Sequence, residues 1–270
     1  MSRRSRAARL RQQLSDRDLD LLLMLRELRL MTGNQIRRAF FPDGNQVTQA
    51  RKARAVLKRL TTLGLTARMR RRVGGLHAGS EGQVVGLSGL GHAVLDVGTE
   101  TPQRHRSVTE TKLAFQEHVL EVAELRVRLT ELTRTGPAEL LEFQAEPACW
   151  RRFSGIGGYA VTLKPDALVR LAVGDYEVVA FIEQDMATES LSTITRKLGV
   201  HIDYWRSGQE QHEHGVHPRV WWLVPDTARL TAITRAIGRV PREARELFTV
   251  VLTEQAADLL TQLPEAGGAS

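Results

Sequence analysis

The chain has 270 residues, 42% of them hydrophobic and 26% charged, which suits one large or two modest water-soluble domains. No apolar run approaches the roughly 18 residues that a membrane-spanning helix needs, and the basic N-terminus lacks the apolar centre of a secretory signal. Cys149 is the only cysteine, which excludes an intramolecular disulfide and a cysteine-based zinc site and points to the cytoplasm.

The charge is uneven. Residues 1–106 hold 21 Lys and Arg against 8 Asp and Glu, a net of +13; residues 107–270 hold 17 against 23, a net of −6. A basic half joined to a mildly acidic one implies two tasks, and the basic half has the footprint of a nucleic-acid binder. Residues 1–14, rich in arginine, read as a disordered basic arm.

Ser15 and Asp18 predict an N-cap for a first helix reaching about Leu30, with Leu19, Leu22, Leu25 and Leu28 on an apolar face. Thr32 caps a short second helix that carries Ile36 and Phe40. After the Pro42-Asp43-Gly44 turn, a third helix runs from about Val47 to Gly64. It has Val56, Leu57, Leu60 and Leu63 inward and Arg51, Lys52, Arg54, Lys58 and Arg59 outward. Two strands then follow around Gly74-Gly75, the first bearing Arg68, Arg70, Arg71 and Arg72, and Ser88 caps a last short helix. Three helices followed by a basic hairpin predict a winged helix-turn-helix over 15–98, or else a helical protein-interaction domain. In the DNA-binding form the third helix enters the major groove, with Gln49 and Arg51 at base edges. Lys52, Arg54 and Lys58 then face the DNA, and the wing arginines lie on the backbone or in the minor groove. Residues 99–108 read as a linker.

Residues 109–264 predict an α/β domain of order α-β-β-β-α-β with a further helix, strand and helix; 265–270 read as a frayed tail. In its first helix, His118 shares an apolar face with Phe115, Val122, Leu125 and Leu129. That placement fits a core histidine or one aimed at a site. Pro165 marks a bend in a strand over 159–173, and Val178 to Ile182 is a near-continuous apolar run, the pattern of a strand buried on both faces.

The candidate site lies between Lys164 and Lys197. Asp166 sits at the strand bend, Glu183 and Asp185 are two apart on the next strand, and Lys197, His201 and Tyr204 recur at helical spacing after it. Three carboxylates at strand ends suit Mg²⁺ or Mn²⁺, which in phosphodiester hydrolysis polarises the phosphoryl group and activates water. Lysine usually completes such a site. Asp185 stands where it is expected, so Lys197 is the residue able to replace it. The bland alternative is that Glu183 and Asp185 end a strand, with Lys197 neutralising them. His212, Glu213, His214 and His217 lie in a polar connection, a second and weaker metal candidate.

Several stretches together resemble the replication-relaxation family of plasmids and other mobile elements. They are the leucine-rich first helix, Leu60-Leu63-Gly64-Leu65, Glu117-His118-Val119-Leu120-Glu121-Val122, Pro165-Asp166, Phe181-Ile182-Glu183-Gln184-Asp185, Thr188-Glu189-Ser190 and Lys197-Leu198. The resemblance covers roughly residues 15–225. It implies a winged helix joined to a domain similar to PD-(D/E)xK restriction-endonuclease-like nucleases, an α+β chain overall, and a role in replication and DNA relaxation. On that pattern Asp166 and Glu183 match the acidic positions, Asp185 departs from the lysine, and Lys197 matches a lysine on the following helix. A relaxase acting by transesterification needs a nucleophile, and of Tyr159, Tyr176 and Tyr204 only Tyr204 lies on the relevant helix face.

Two function classes follow. One is a DNA-processing protein that nicks or relaxes a site selected by the winged helix, using Asp166, Glu183, Asp185 and Lys197, with His118 beside them. The other is a non-catalytic DNA-binding replication accessory or transcriptional regulator built on a degenerate nuclease scaffold. Double-stranded DNA is the expected partner of both, with a second copy of the chain and replication or conjugation proteins as further candidates.

Overall fold

The computed structural model describes residues 3–69, 83–99, 113–155 and 157–262, a mixed α/β chain. It divides into two units, Met1–Val127 and Arg128–Ser270.

The first unit begins with α1 (Arg3–Arg11), where the sequence predicts a disordered arm. The correction has a packing origin. Ala7 and Leu10, three apart on one helix face, are buried, and α1 packs on α5 (Gly89–Leu95). Arg6 and Arg11 donate to the Leu63 and Val94 carbonyls, at the C-terminal ends of two helices where cations are favoured. Next come α2 (Asp16–Leu28), β1 (Leu30–Thr32), α3 (Gly33–Phe40) and α4 (Gln46–Thr62). Ser15 and Asp18 form a reciprocal capping box on α2, and Thr32 and Gln35 form another on α3. Asp18 is buried and also takes Arg59 of α4 at 2.6 Å. Burial works against its charge, but Arg59 and Ser15 outweigh it and hold the carboxyl below the usual range.

β2 (Thr66–Arg68) and β3 (Val84–Leu87) pair antiparallel, and β1 adds to the other edge of β3. β1 is only three residues long, too short for a periodic signal, and the sequence reading runs helix directly into helix there. A Cβ on Gly91 would lie 2.3 Å from the Leu65 carbonyl oxygen, so the start of α5 can rest on the β2 entry only with glycine there. The expected wing arginines Arg70, Arg71 and Arg72, the Gly74-Gly75 turn and all but the first residue of the linker lie outside the described residues.

α6 (Leu113–Thr135) crosses the boundary between the units. Within the first unit its Glu124 accepts from Arg38 at 2.5 Å and from Gln35 at 3.1 Å, so this carboxylate is held by α3 and is not part of a purely solvated face.

The second unit is built on a five-stranded sheet of order β10-β9-β8-β7-β4. Its strands are β4 (Ala138–Ala145), β7 (Ala167–Val173), β8 (Tyr176–Gln184), β9 (Arg219–Val224) and β10 (Phe248–Leu252). β4, β7 and β8 are antiparallel neighbours; β8, β9 and β10 run parallel. The strand predicted over 159–173 is split. β6 (Ala160–Leu163) pairs with β5 (Arg151–Ser154) in a separate hairpin, and β7 starts after Pro165. Proline lacks the N–H a ladder needs, which accounts for the break. α7 (Leu191–Ser207) packs against the hairpin and α9 (Thr227–Ile237), over a core of Phe181, Ile194, Leu198, Ile202, Tyr204 and Trp222. The polar connection expected over 207–217 contains a short helix, α8 (Gln209–His214), and α10 (Ala256–Leu260) ends the described chain.

Candidate functional site

The break at Pro165 places Asp166 beside the end of β8. Its backbone N–H donates to the Ile182 carbonyl, and its Oδ2 accepts from the Gln184 N–H at 2.8 Å. Glu183 is 2% exposed, and α7 occupies both of its oxygens. His201 Nε2 lies 2.8 Å from Oε1, and Lys197 Nζ lies 3.2 Å from Oε2. One turn of helix separates these two partners, so the i, i+4 spacing read from the sequence meets a single carboxylate. His201 is fully buried and its Nδ1 has no hydrogen-bond partner. Facing a carboxylate, the Nε2 position is the one that carries the proton.

Lys197 also pairs with Glu189 at 3.0 Å and stands 5.8 Å from the centroid of the Trp222 ring. Burial disfavours its charge, but Glu183, Asp166 and Glu189 outweigh that and raise the ammonium above its ordinary range. Lys197 is therefore a fixed positive charge, suited to an anion or a developing negative charge and unsuited to accepting a proton near neutrality.

Asp185 takes a different partner. Arg229 of α9 donates Nε to Oδ2 at 2.5 Å and Nη2 to Oδ1 at 2.8 Å, and Nη2 also reaches the Glu189 carbonyl at 2.9 Å. The hydrogen bond to Asp185 raises the guanidinium pKa further. The turn after β8 wraps the same carboxylate. The Ala187 N–H donates to Oδ2 at 3.2 Å, and Ala187 has φ +55°, a conformation that costs a non-glycine residue energy and persists where its surroundings enforce it. Arg229 was not singled out from the sequence, because its 44-residue separation from Asp185 leaves no local signal.

Asp166 and Glu183 therefore come together with Lys197, while Asp185 faces Arg229. Each carboxylate is already engaged, and a three-carboxylate metal centre does not fit this arrangement while those ion pairs stand. Among the described residues no group of three or more His, Cys, Asp or Glu is arranged to hold a metal ion, and this includes His212, Glu213, His214 and His217. His118 belongs to the first unit and the acids to the second.

Tyr204 is not placed to act as a nucleophile. It is fully buried and its hydroxyl donates to Glu210, which Arg151 also holds at 3.0 Å. Burial, then Glu210, push the phenol well above its ordinary value, away from the phenolate. His217 lies against the Tyr204 and Phe181 rings, with neither ring nitrogen hydrogen-bonded. Burial pushes its imidazole down to about 4. The unfolded chain then takes up a proton near pH 6.5 that the folded chain refuses until about pH 4, so stability falls as pH drops through that window. Urea titrations across pH 4–7 are expected to show this loss, at most about 3 kcal/mol, and His217→Phe is expected to flatten it. Equal slopes in the two proteins would remove His217 as the cause.

In the first unit, Ala53, Leu57 and Leu60 of α4 are buried while Arg51, Lys52, Arg54 and Lys58 are exposed, as is Arg68 on β2. Gln49 is used internally. Its amide nitrogen donates to the Pro42 and Gly44 carbonyls and its oxygen accepts from Arg37. Val47, in the first turn of α4, is 75% exposed, an apolar side chain beside the cations.

No curated protein and no solved structure matches the chain. Residues 22–220, well over half of it and reaching from α2 through the acid–lysine centre to β9, match the replication-relaxation family. The chain belongs to the replication-relaxation family.

Proposed function

We propose that the chain is a DNA-binding protein of a plasmid or other mobile element, acting in replication or DNA relaxation. Its first unit is read as a winged helix-turn-helix that binds double-stranded DNA. The observation that carries this reading is the outer face of α4. Arg51, Lys52, Arg54 and Lys58 project from it and none has a carboxylate partner among the described residues, while the opposite face is apolar and buried. Such a group of cations suits contact with phosphates, and releasing counterions there supplies affinity.

The second unit is read as a scaffold related to the PD-(D/E)xK nucleases, in an accessory rather than a cutting role. The support is that Lys197 neutralises Glu183, which His201 also holds by a hydrogen bond, and Arg229 neutralises Asp185. A nicking form needs Glu183 released to join Asp166 in holding Mg²⁺ or Mn²⁺, with Lys197 as the remaining charge. Purified protein incubated with supercoiled plasmid and either ion is expected to leave the plasmid intact. Nicking that depends on the ion and disappears in both Asp166→Ala and Glu183→Ala establishes the cutting form instead.

A further inference from the structure

We propose that the second unit carries its own site for single-stranded DNA, laid between the β5–β6 hairpin and α7. This deepens the DNA-binding reading above by naming a second nucleic-acid class, and it uses none of the cations of α4.

The β5–β6 register sets Arg152 opposite Thr162, so both side chains project from one face of the hairpin, and Lys164, two residues on from Thr162, continues that row. Thr162, Leu163 and Lys164 form one wall of an open cleft of about 180 Å³; Arg196, Lys197, Val200 and His201 of α7 form the other, with Glu183 at the floor. Arg152, Lys164 and Arg196 are exposed, and none has a carboxylate partner among the described residues. The two walls are thus cationic at Lys164 and Arg196, with Arg152 beside Thr162 on the outer face of the hairpin, although the unit as a whole is acidic. Lys164 Nζ is held 4.8 Å from the centroid of the Trp150 ring, which orients it without neutralising it. An anionic backbone passing between the walls meets positive charge from both sides.

The hairpin turn adds an aromatic surface. Tyr159 is 61% exposed. Its ring lies so close to Gly155 that a Cβ there would stand 3.2 Å from Cε2, and a Cβ on Gly157 would stand 3.8 Å from Cδ1. Glycine backbone therefore backs the ring and leaves much of it to solvent. A base in a duplex is already stacked on both sides, whereas an unpaired base has a free face for such a ring. Cations on both walls of a cleft, with an exposed aromatic ring at the turn of the same hairpin, three residues before Thr162, match the recognition of a single strand.

The test uses the full chain and fluorescence anisotropy with a labelled oligothymidylate of about 16 nucleotides, within the range single-strand grooves cover, and with a labelled duplex. Wild type is expected to bind the oligothymidylate. Tyr159→Ala, and separately Arg152→Glu with Arg196→Glu, are expected to weaken that binding about tenfold or more and leave duplex binding unchanged, while Tyr159→Trp retains it. All three positions are exposed, and thermal melts establish that the variants fold. Absence of oligothymidylate binding by wild type overturns the proposal. So does an equal loss for both DNA forms, which marks the rim as a general basic surface. Absence of duplex binding alone overturns the reading of the first unit and leaves this site standing.

Discussion

Arg229→Ala is expected to destabilise the protein by about 3–5 kcal/mol, because removing one partner of a buried ion pair strands the other charge away from water. The Asp185 side chain is fully buried, and Arg229 contacts both of its oxygens. Asn at position 185 keeps an acceptor for the Ala187 N–H but carries no charge, so Asp185→Asn combined with Arg229→Ala is expected to recover most of the loss. Arg229→Lys is expected to fall between, since an ammonium cannot reproduce the two-pronged contact. Urea denaturation of the four proteins reads this directly. A melt of Arg229→Ala that superimposes on wild type would show that Asp185 is stabilised by something other than this pair. The result also bears on function: Arg229 reaches the Glu189 carbonyl, and Glu189 holds Lys197, so the same guanidinium braces the segment that brings the lysine to Glu183.

Replacing Arg51, Lys52, Arg54 and Lys58 together by alanine is expected to weaken duplex binding by about 10²- to 10³-fold near physiological salt. The slope of log affinity against log salt should fall by about 0.9 for each phosphate contact removed. These side chains lie on the exposed face of α4, so folding stability should change little. Among single changes, Lys58→Ala is expected to weaken all sequences alike, while Arg51→Ala shifts the preference among them. Gln49 is not expected to share in base recognition, because its amide already bridges the Pro42–Gly44 turn and Arg37. Binding that is indifferent to salt, or that survives the fourfold change, would sink the role assigned to α4.

Both expectations start from features with very different visibility in the sequence. The basic face of α4, the caps Ser15, Thr32 and Ser88, and the buried run of β8 were legible because each depends on residues within a few positions of one another. Lys197 and His201 were legible as a pair for the same reason, and so was the interruption at Pro165. The helix at residues 3–11 was not, since its stability comes from seating Ala7 and Leu10 on α5, about eighty residues away along the chain, and arginine-rich composition alone argues against it.

The candidate site divides along the same line. Sequence by itself determined which groups stand at the ends of β7 and β8 and which charges α7 offers them, because strand and helix periodicity are local properties of the backbone. It also determined the resemblance that the family match bears out. Only the tertiary structure decided who pairs with whom. Glu183 and Asp185, two residues apart, are claimed by different helices, α7 and α9. The physical reason is that a buried carboxylate must find a compensating charge or donor wherever packing brings one. For Asp185 that donor is Arg229, whose approach is set by how α9 packs on the sheet and is invisible to any periodicity in the chain.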